Sequence, residues 1–261
     1  MPPIMTLLTD FGDRDGYVGI MKGVIVNICP EARLIDLTHT IPPQNIPAAR
    51  FTLLNAHPYF PAGTVHLVVV DPGVGTARRA IALQTPRGYL VGPDNGVLSG
   101  VIDQAETVQA VELTATTYWR SPQLSHTFHG RDVFAPAAAH LAAGVKLQEL
   151  GKIIDPNTLS RIAIPQPQIT KDRIAGSVQY IDHFGNIITT IPATAMGSQP
   201  WIMRVGAVEM PVGQTYGDVE IGHAIALIGS HGWVEIAVNG SSAQARLRLA
   251  IGDEVQLIAK Q

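Results

Sequence analysis

HLVVVDPGVGTARR, at residues 66–79, is an apolar, β-branched run that stops abruptly. Residues 67–70 read as a buried strand, Asp71-Pro72-Gly73 ends it, and a loop containing Gly75 delivers the neighbouring Arg78 and Arg79. Open α/β sheets bind ligands in the crevice beyond the carboxyl ends of their strands, so chemistry is expected in this loop.

Working outward, residues 4–9 form a short apolar run that stops at Asp10-Phe11-Gly12. From Tyr17 the apolar positions recur at helical spacing until Pro30. Residues 34–38 read as a strand and residues 46–56 as a helix, so the order up to the opening stretch is βαβαβ. That alternation predicts a mainly parallel sheet with flanking helices. Downstream, residues 80–84, 89–91 and 108–113 read as strands, and Gly92-Pro93-Asp94-Asn95-Gly96 is dense turn chemistry. Residues 133–143 form an alanine-rich helix closed by Gly144, for which Asp132 is the expected N-cap, leaving His129 just outside its amino end.

Around Pro165 and Pro167 the sequence becomes proline-rich and aperiodic. The expected organisation is an α/β domain over 1–160, a linker over 161–172 and a smaller all-β, barrel-like domain over 173–261. The latter is read from short β-rich runs at 174–181, 186–191, 201–205, 224–228, 234–238 and 255–258.

The 261 residues are 46% hydrophobic, enough for a substantial core. Eighteen basic against 21 acidic residues give a net charge of −3 with no charged block, which speaks against a dedicated nucleic-acid or membrane-surface binder. The start, MPPIMTLLTDFGD, shows neither a basic leader nor a membrane span, and a cytoplasmic enzyme is expected. One cysteine, Cys29, excludes an internal disulfide and a cysteine-built metal cage.

Gly73-Val74-Gly75 lacks the third glycine of a dinucleotide loop and the Gly-Lys ending of a phosphate loop. Asp10, at a strand end, reads either as a turn cap or as a carboxylate taking hydrogen bonds from two ribose hydroxyls. His129 reads either as a packing histidine or as a general base held neutral by local positive potential. Asp182-His183 with Gly185-Asn186 reads as a hairpin turn or as a holder of a small zwitterion.

Five co-linear stretches carry a resemblance: TDFG at 9–12, VDPGVGTARR at 70–79, GPDNG at 92–96, HTFHGRDVFAPAAAHLA at 126–142 and IDHFGNIITTI at 181–191. Together they resemble the S-adenosyl-L-methionine hydroxide adenosyltransferase family, relatives of the fluorinase and chlorinase enzymes. The resemblance implies metal-independent cleavage of S-adenosylmethionine to adenosine and methionine, with no cofactor, by hydroxide derived from water attacking the ribose 5′ carbon. It places the catalytic set on Asp71, Arg78 and His129, where the halogenating relatives differ at two positions. It further implies ribose binding by Asp10, the methionine amine on Asp182, polar contacts from Asn186 and Ser230, and adenine near Asn239 and Gly240. It implies a homotrimer with the site at the subunit interface. Two competing readings are a metal-dependent hydrolase using Asp10, Asp13, Asp71 and His129 as ligands, and a non-catalytic adenosine or S-adenosylmethionine sensor.

Overall fold

The computed structural model describes residues 2–260, and the chain divides after Ile162 into two compact units. The first runs β1 (Ile4–Thr9), α1 (Tyr17–Ile28), β2 (Arg33–Thr38), α2 (Ile46–Ala56), β3 (Thr64–Val69), β4 (Ala80–Thr85), β5 (Gly88–Pro93), α3 (Ser99–Ile102), β6 (Gln109–Glu112), α4 (Ala135–Ala142) and β7 (Lys152–Ile154). Its sheet has the order β2-β1-β3-β5-β4-β6-β7.

The expected parallel arrangement holds from β2 through β1 and β3 to β5. Beyond β5 the neighbours are antiparallel, making the whole sheet mixed. The reason is local: only Pro86 and Arg87 separate β4 from β5, too short a link for the crossover that a parallel pair needs.

All six residues of β3 are buried, as a strand covered on both faces must be. Val65, Leu67 and Val69 join Met5 and Leu7 of β1 in a cluster with Met21 and Ile25 of α1 and Ala137, Ala138 and Leu141 of α4. His66 lies opposite Thr6 across the β1/β3 ladder, and the two side chains hydrogen-bond at 2.8 Å. α2 begins with the Asn45 side chain accepting from the Ala48 N–H and with proline in its first turn.

This topology positions the site. β1 leads through α1 to β2 on one side, whereas β3 leads toward β4 on the other, so the exits of two adjacent strands diverge and leave a crevice at their carboxyl ends. Thr9 and Val69 are register partners there. Asp10 follows Thr9 directly, and Asp71 comes two residues after Val69.

The second unit is built from β8 (Gln168–Ile169), β9 (Arg173–Ile181), β10 (Ile187–Pro192), β11 (Trp201–Val205), β12 (Val208–Pro211), β13 (Ala224–Ile228), β14 (Trp233–Val238), α5 (Ala243–Leu247) and β15 (Glu254–Ala259). Its order is β12-β11-β15-β9-β10-β14-β13, with β8 on β9. A bridge from Val212 to Ala226 brings the two ends together, giving a nearly closed, barrel-like antiparallel sheet. The proline-rich stretch is tied down at both ends: Thr158 and Ser160 bond to Arg79 and Asp94 in the first unit, and β8 pairs within the second.

His66 is 1% exposed, and burial, reinforced by His57 and Arg87, pushes its pKa from 6.5 down to about 3. The unfolded chain therefore takes up the proton first, and stability is lost as pH falls from the unfolded value toward the folded one. Urea unfolding across that window is expected to show a decline of up to about 1.4 kcal/mol per pH unit. His66→Gln is expected to flatten it; an unchanged slope would contradict this account.

Candidate active site

The loop after β3 folds back on itself. Val74 N–H donates to the Asp71 carbonyl, Thr76 N–H to the Gly73 carbonyl, and Gly75 turns the chain at φ +76°. Arg78 is thereby returned to Asp71. Its Nε donates to both Asp71 oxygens at 2.9 and 3.0 Å, and Nη2 donates to Oδ2 at 2.5 Å. The same Nη2 lies 2.8 Å from Nδ1 of His129, and the guanidinium stands 5.1 Å from the centroid of the buried Phe134 ring. The Arg78 and Asp71 side chains are 10% and 5% exposed, so this is a desolvated pair whose partners need each other. Arg79, the adjacent arginine, turns away to Asp94 and Thr158 and fastens the turn at 92–96.

His129 immediately precedes the helical run, as expected, but Asp132 does not cap it. The run opens with a wide π-type turn over Gly130–Phe134, in which Ala135 N–H reaches back to the Gly130 carbonyl. Asp132 is fully buried inside that turn. Burial opposes its ionisation, but Arg131, Arg120 and the Ser125 N–H outweigh it and hold the carboxyl well below the usual range.

Arg78 also changes the reading of His129. A guanidinium only donates, so Nδ1 accepts and the ring proton resides on Nε2. Burial first, then Arg78, lowers the His129 pKa below 6.5. The ring is therefore oriented through Arg78, and in this tautomer its free nitrogen, Nε2, carries a proton.

Asp10, Asp71 and His129 line one cavity of about 340 Å³ together with Phe11, Gln44 and Phe128. Asp10 Oδ2 accepts from the N–H of Gln44, a residue at φ +65°, at 2.7 Å, which is the turn-cap reading of its position, and Asp10 also lines the cavity. A second cavity of about 280 Å³ at the opposite ends of these strands, near His57 and Arg87, contains none of the expected groups.

In the second unit Asp182 and Asn186 close the β9–β10 hairpin. Asp182 Oδ1 accepts from the N–H groups of Phe184 and Asn186, and Oδ2 accepts from the Asn186 amide. Asn239 and Gly240 form the turn after β14, close to this hairpin because Ile187 pairs with Ile236 and Gln244 N–H reaches the Gly185 carbonyl. Ser230 sits in the turn at the other end of β14.

Sequence reasoning missed Glu235, 4% exposed on β14. Its oxygens accept from the Tyr216 hydroxyl at 2.8 Å and from His231 Nε2 at 3.1 Å. Burial and this carboxylate push the Tyr216 pKa up to about 12. The available signal was a lone acid inside an apolar strand. Among the described residues, no three of His, Cys, Asp and Glu gather as a metal cage, and no helix is long and apolar enough to cross a membrane.

A parallel-strand crevice holding a carboxylate, a guanidinium and an imidazole, followed by an antiparallel β unit, defines a class of two-domain α/β proteins with a polar site at the strand ends. The chain belongs to the SAM hydroxide adenosyltransferase family: the model of its N-terminal domain matches residues 5–151 and that of its C-terminal domain residues 176–256. It is 41% identical over 258 residues to a protein of Salinispora tropica named (R)-S-adenosyl-L-methionine hydrolase, covering 98% of each chain. A Thermus thermophilus protein of the same name is 41% identical over 259 residues, covering 96% of this chain and 98% of that one. A fluorinase of Nocardia brasiliensis is 29% identical over 290 residues, covering 98% and 96%. A solved structure of an uncharacterized conserved protein from Thermotoga maritima superposes with a TM-score of 0.91 at 37% identity, over 97% of this chain and 99% of that one.

A Cβ at Gly75 would overlap the His126 carbonyl oxygen, and the backbone there is left-handed. Gly75→Ala is therefore expected to cost about 1–3 kcal/mol and to lower activity, because it separates the loops carrying Arg78 and His129. Denaturant titration and turnover assays check both.

Proposed function

We propose that this protein hydrolyses S-adenosyl-L-methionine to adenosine and L-methionine. The observation carrying the reading is the convergence of Asp71 and His129, joined through Arg78, on the cavity that Asp10 also lines. The 41% identical relatives named for this hydrolysis support it.

Water held between these groups gives up its proton to the Asp71 carboxylate while Nε2–H of His129 donates to its oxygen. That oxygen attacks the ribose 5′ carbon, the carbon–sulfur bond breaks, and its electron pair neutralises the sulfonium, leaving adenosine and methionine. An anion and a cation are consumed together, which a poorly solvated cleft favours. Arg78 fixes the geometry of both partners and supplies positive potential at the oxygen. Asp10 accepts from the ribose hydroxyls, Asp182, Asn186 and Ser230 address the methionine end, and Asn239 with Gly240 the adenine. The metal-independent form of the reading rests on Asp71: its two oxygens are already engaged by a guanidinium, an organic cation where a metal would bind.

The working form is proposed to be a homotrimer, the second unit of one subunit completing the cavity of its neighbour. A cytoplasmic setting accords with Cys29 being a buried free thiol.

Incubation with S-adenosylmethionine in labelled water is expected to give methionine and adenosine labelled at the 5′ hydroxyl, undiminished by chelator. Unlabelled adenosine would refute the displacement, loss of turnover in chelator would favour the metal-dependent alternative, and no products would leave a sensor. A fully active monomer would remove the trimer.

Arg78→Lys keeps a positive charge but loses the two-pronged contact. It is expected to lower turnover about 10²–10³-fold with adenosine affinity nearly unchanged, and equal losses would contradict the role. Since His129 is neutral above a depressed pKa, wild-type activity is expected to persist below pH 6.5. The acid limb should move to higher pH in the variant.

A further inference from the structure

We propose that Asp132 is a positioning residue for His129, acting as the hub that fixes residues 120–129 against the start of α4. This rests on the hydrolase reading only for its effect on turnover.

Asp132 is 0% exposed, yet nothing in the reaction uses it. Oδ1 accepts from Nε of Arg120 at 2.7 Å and from Nε of Arg131 at 2.7 Å. Oδ2 accepts from Nη2 of Arg131 at 2.8 Å and from the Ser125 N–H at 2.9 Å. Its backbone joins the same segment, with the carbonyl accepting from Arg120 N–H and the N–H donating to the Phe128 carbonyl. One carboxylate thus holds both ends of the stretch that presents His126, Thr127, Phe128 and His129.

The hub reaches the cavity by two routes. Arg131, oriented by Asp132, lies 5.2 Å from the Phe128 ring centroid, and Phe128 packs edge-on against Phe11 and Tyr17. The turn containing Asp132 also begins directly after His129, so its position sets where the imidazole meets Arg78. Four donors converging on a fully buried anion exceed what solubility or surface pairing requires, and removing a group from such a network leaves the others unpaired.

The test compares Asp132→Asn with Asp132→Glu, measuring kcat, KM and the titration of the His129 Cε1 signal, which is assigned by its absence in His129→Gln. The charged or titratable groups facing His129 are Arg78, Asp71, Asp132 and His126. Asp132→Asn is expected to lower kcat about 10²-fold with KM little changed, and to raise the His129 pKa toward 6.5 as the ring leaves Arg78 and its burial. Asp132→Glu is expected to recover part of both. A downward His129 shift, which lost charge alone would produce with the segment still in place, overturns the proposal, as does an unchanged titration. Should Asp132→Asn not fold, Arg120→Gln removes one arm of the hub at a side chain 43% exposed, and a smaller change in the same direction is expected; none would overturn the proposal. The titration needs no substrate, so it stands even if the protein fails to hydrolyse S-adenosylmethionine.

Discussion

The candidate site depends on a single guanidinium with claims on two sides. Arg78 is chelated by Asp71, and the nitrogen that closes the chelate also meets His129. Any buried ion pair must recover the solvation it loses, and here the recovery comes from directed bonds and from the Phe134 ring beneath the plane. Asp71 and His129 face the cavity while Arg78 is not among its lining groups. The arginine works from behind, holding one partner in a two-pronged ion pair and fixing the tautomer of the other.

That arrangement is possible because the sheet places the loops correctly. Strands β1 and β3 are adjacent and parallel, and their connections leave in opposite directions. The crevice is therefore a property of strand order, and its polar groups come from the few residues that follow each strand, joined by His129 from the segment before α4. The second unit follows a different logic, in which turns carry the polar groups: Asp182 is satisfied within its own hairpin turn, and the Asn239 amide donates to the Val219 carbonyl.

Much of this was legible from periodicity. The strand at Ile4–Thr9 and the helices Tyr17–Ile28 and Ile46–Ala56 fall where apolar spacing puts them. The positions of Asp10 and Asp71 beyond strand ends were legible from the apolar runs that stop at them, whereas the turn-capping bond that Asp10 accepts from Gln44 is one of two uses that the sequence leaves open. Hidden from the sequence was whatever depends on tertiary partners. The order β3-β5-β4 cannot be read from local pattern, and β7 and β12 are too short to announce themselves. Asp132 resembles an N-cap in sequence because caps and buried hubs use the same residue type; only the arrival of Arg120, twelve positions earlier, tells them apart. Glu235 is similar, since its partners Tyr216 and His231 come from outside its own strand.

The ladder joining Thr9 to Val69 has one more consequence. It anchors two carboxylates just past its last rung, Asp10 one residue after Thr9 and Asp71 two after Val69, so the sheet restrains their spacing before any nucleoside arrives. On the proposed reading, Asp10 grips the vicinal diol and Asp71 stands at the exocyclic carbon, and the sheet serves as a ruler for the span between them. A sugar whose arm is one carbon longer or shorter would mismeasure against it, whatever leaving group it carried.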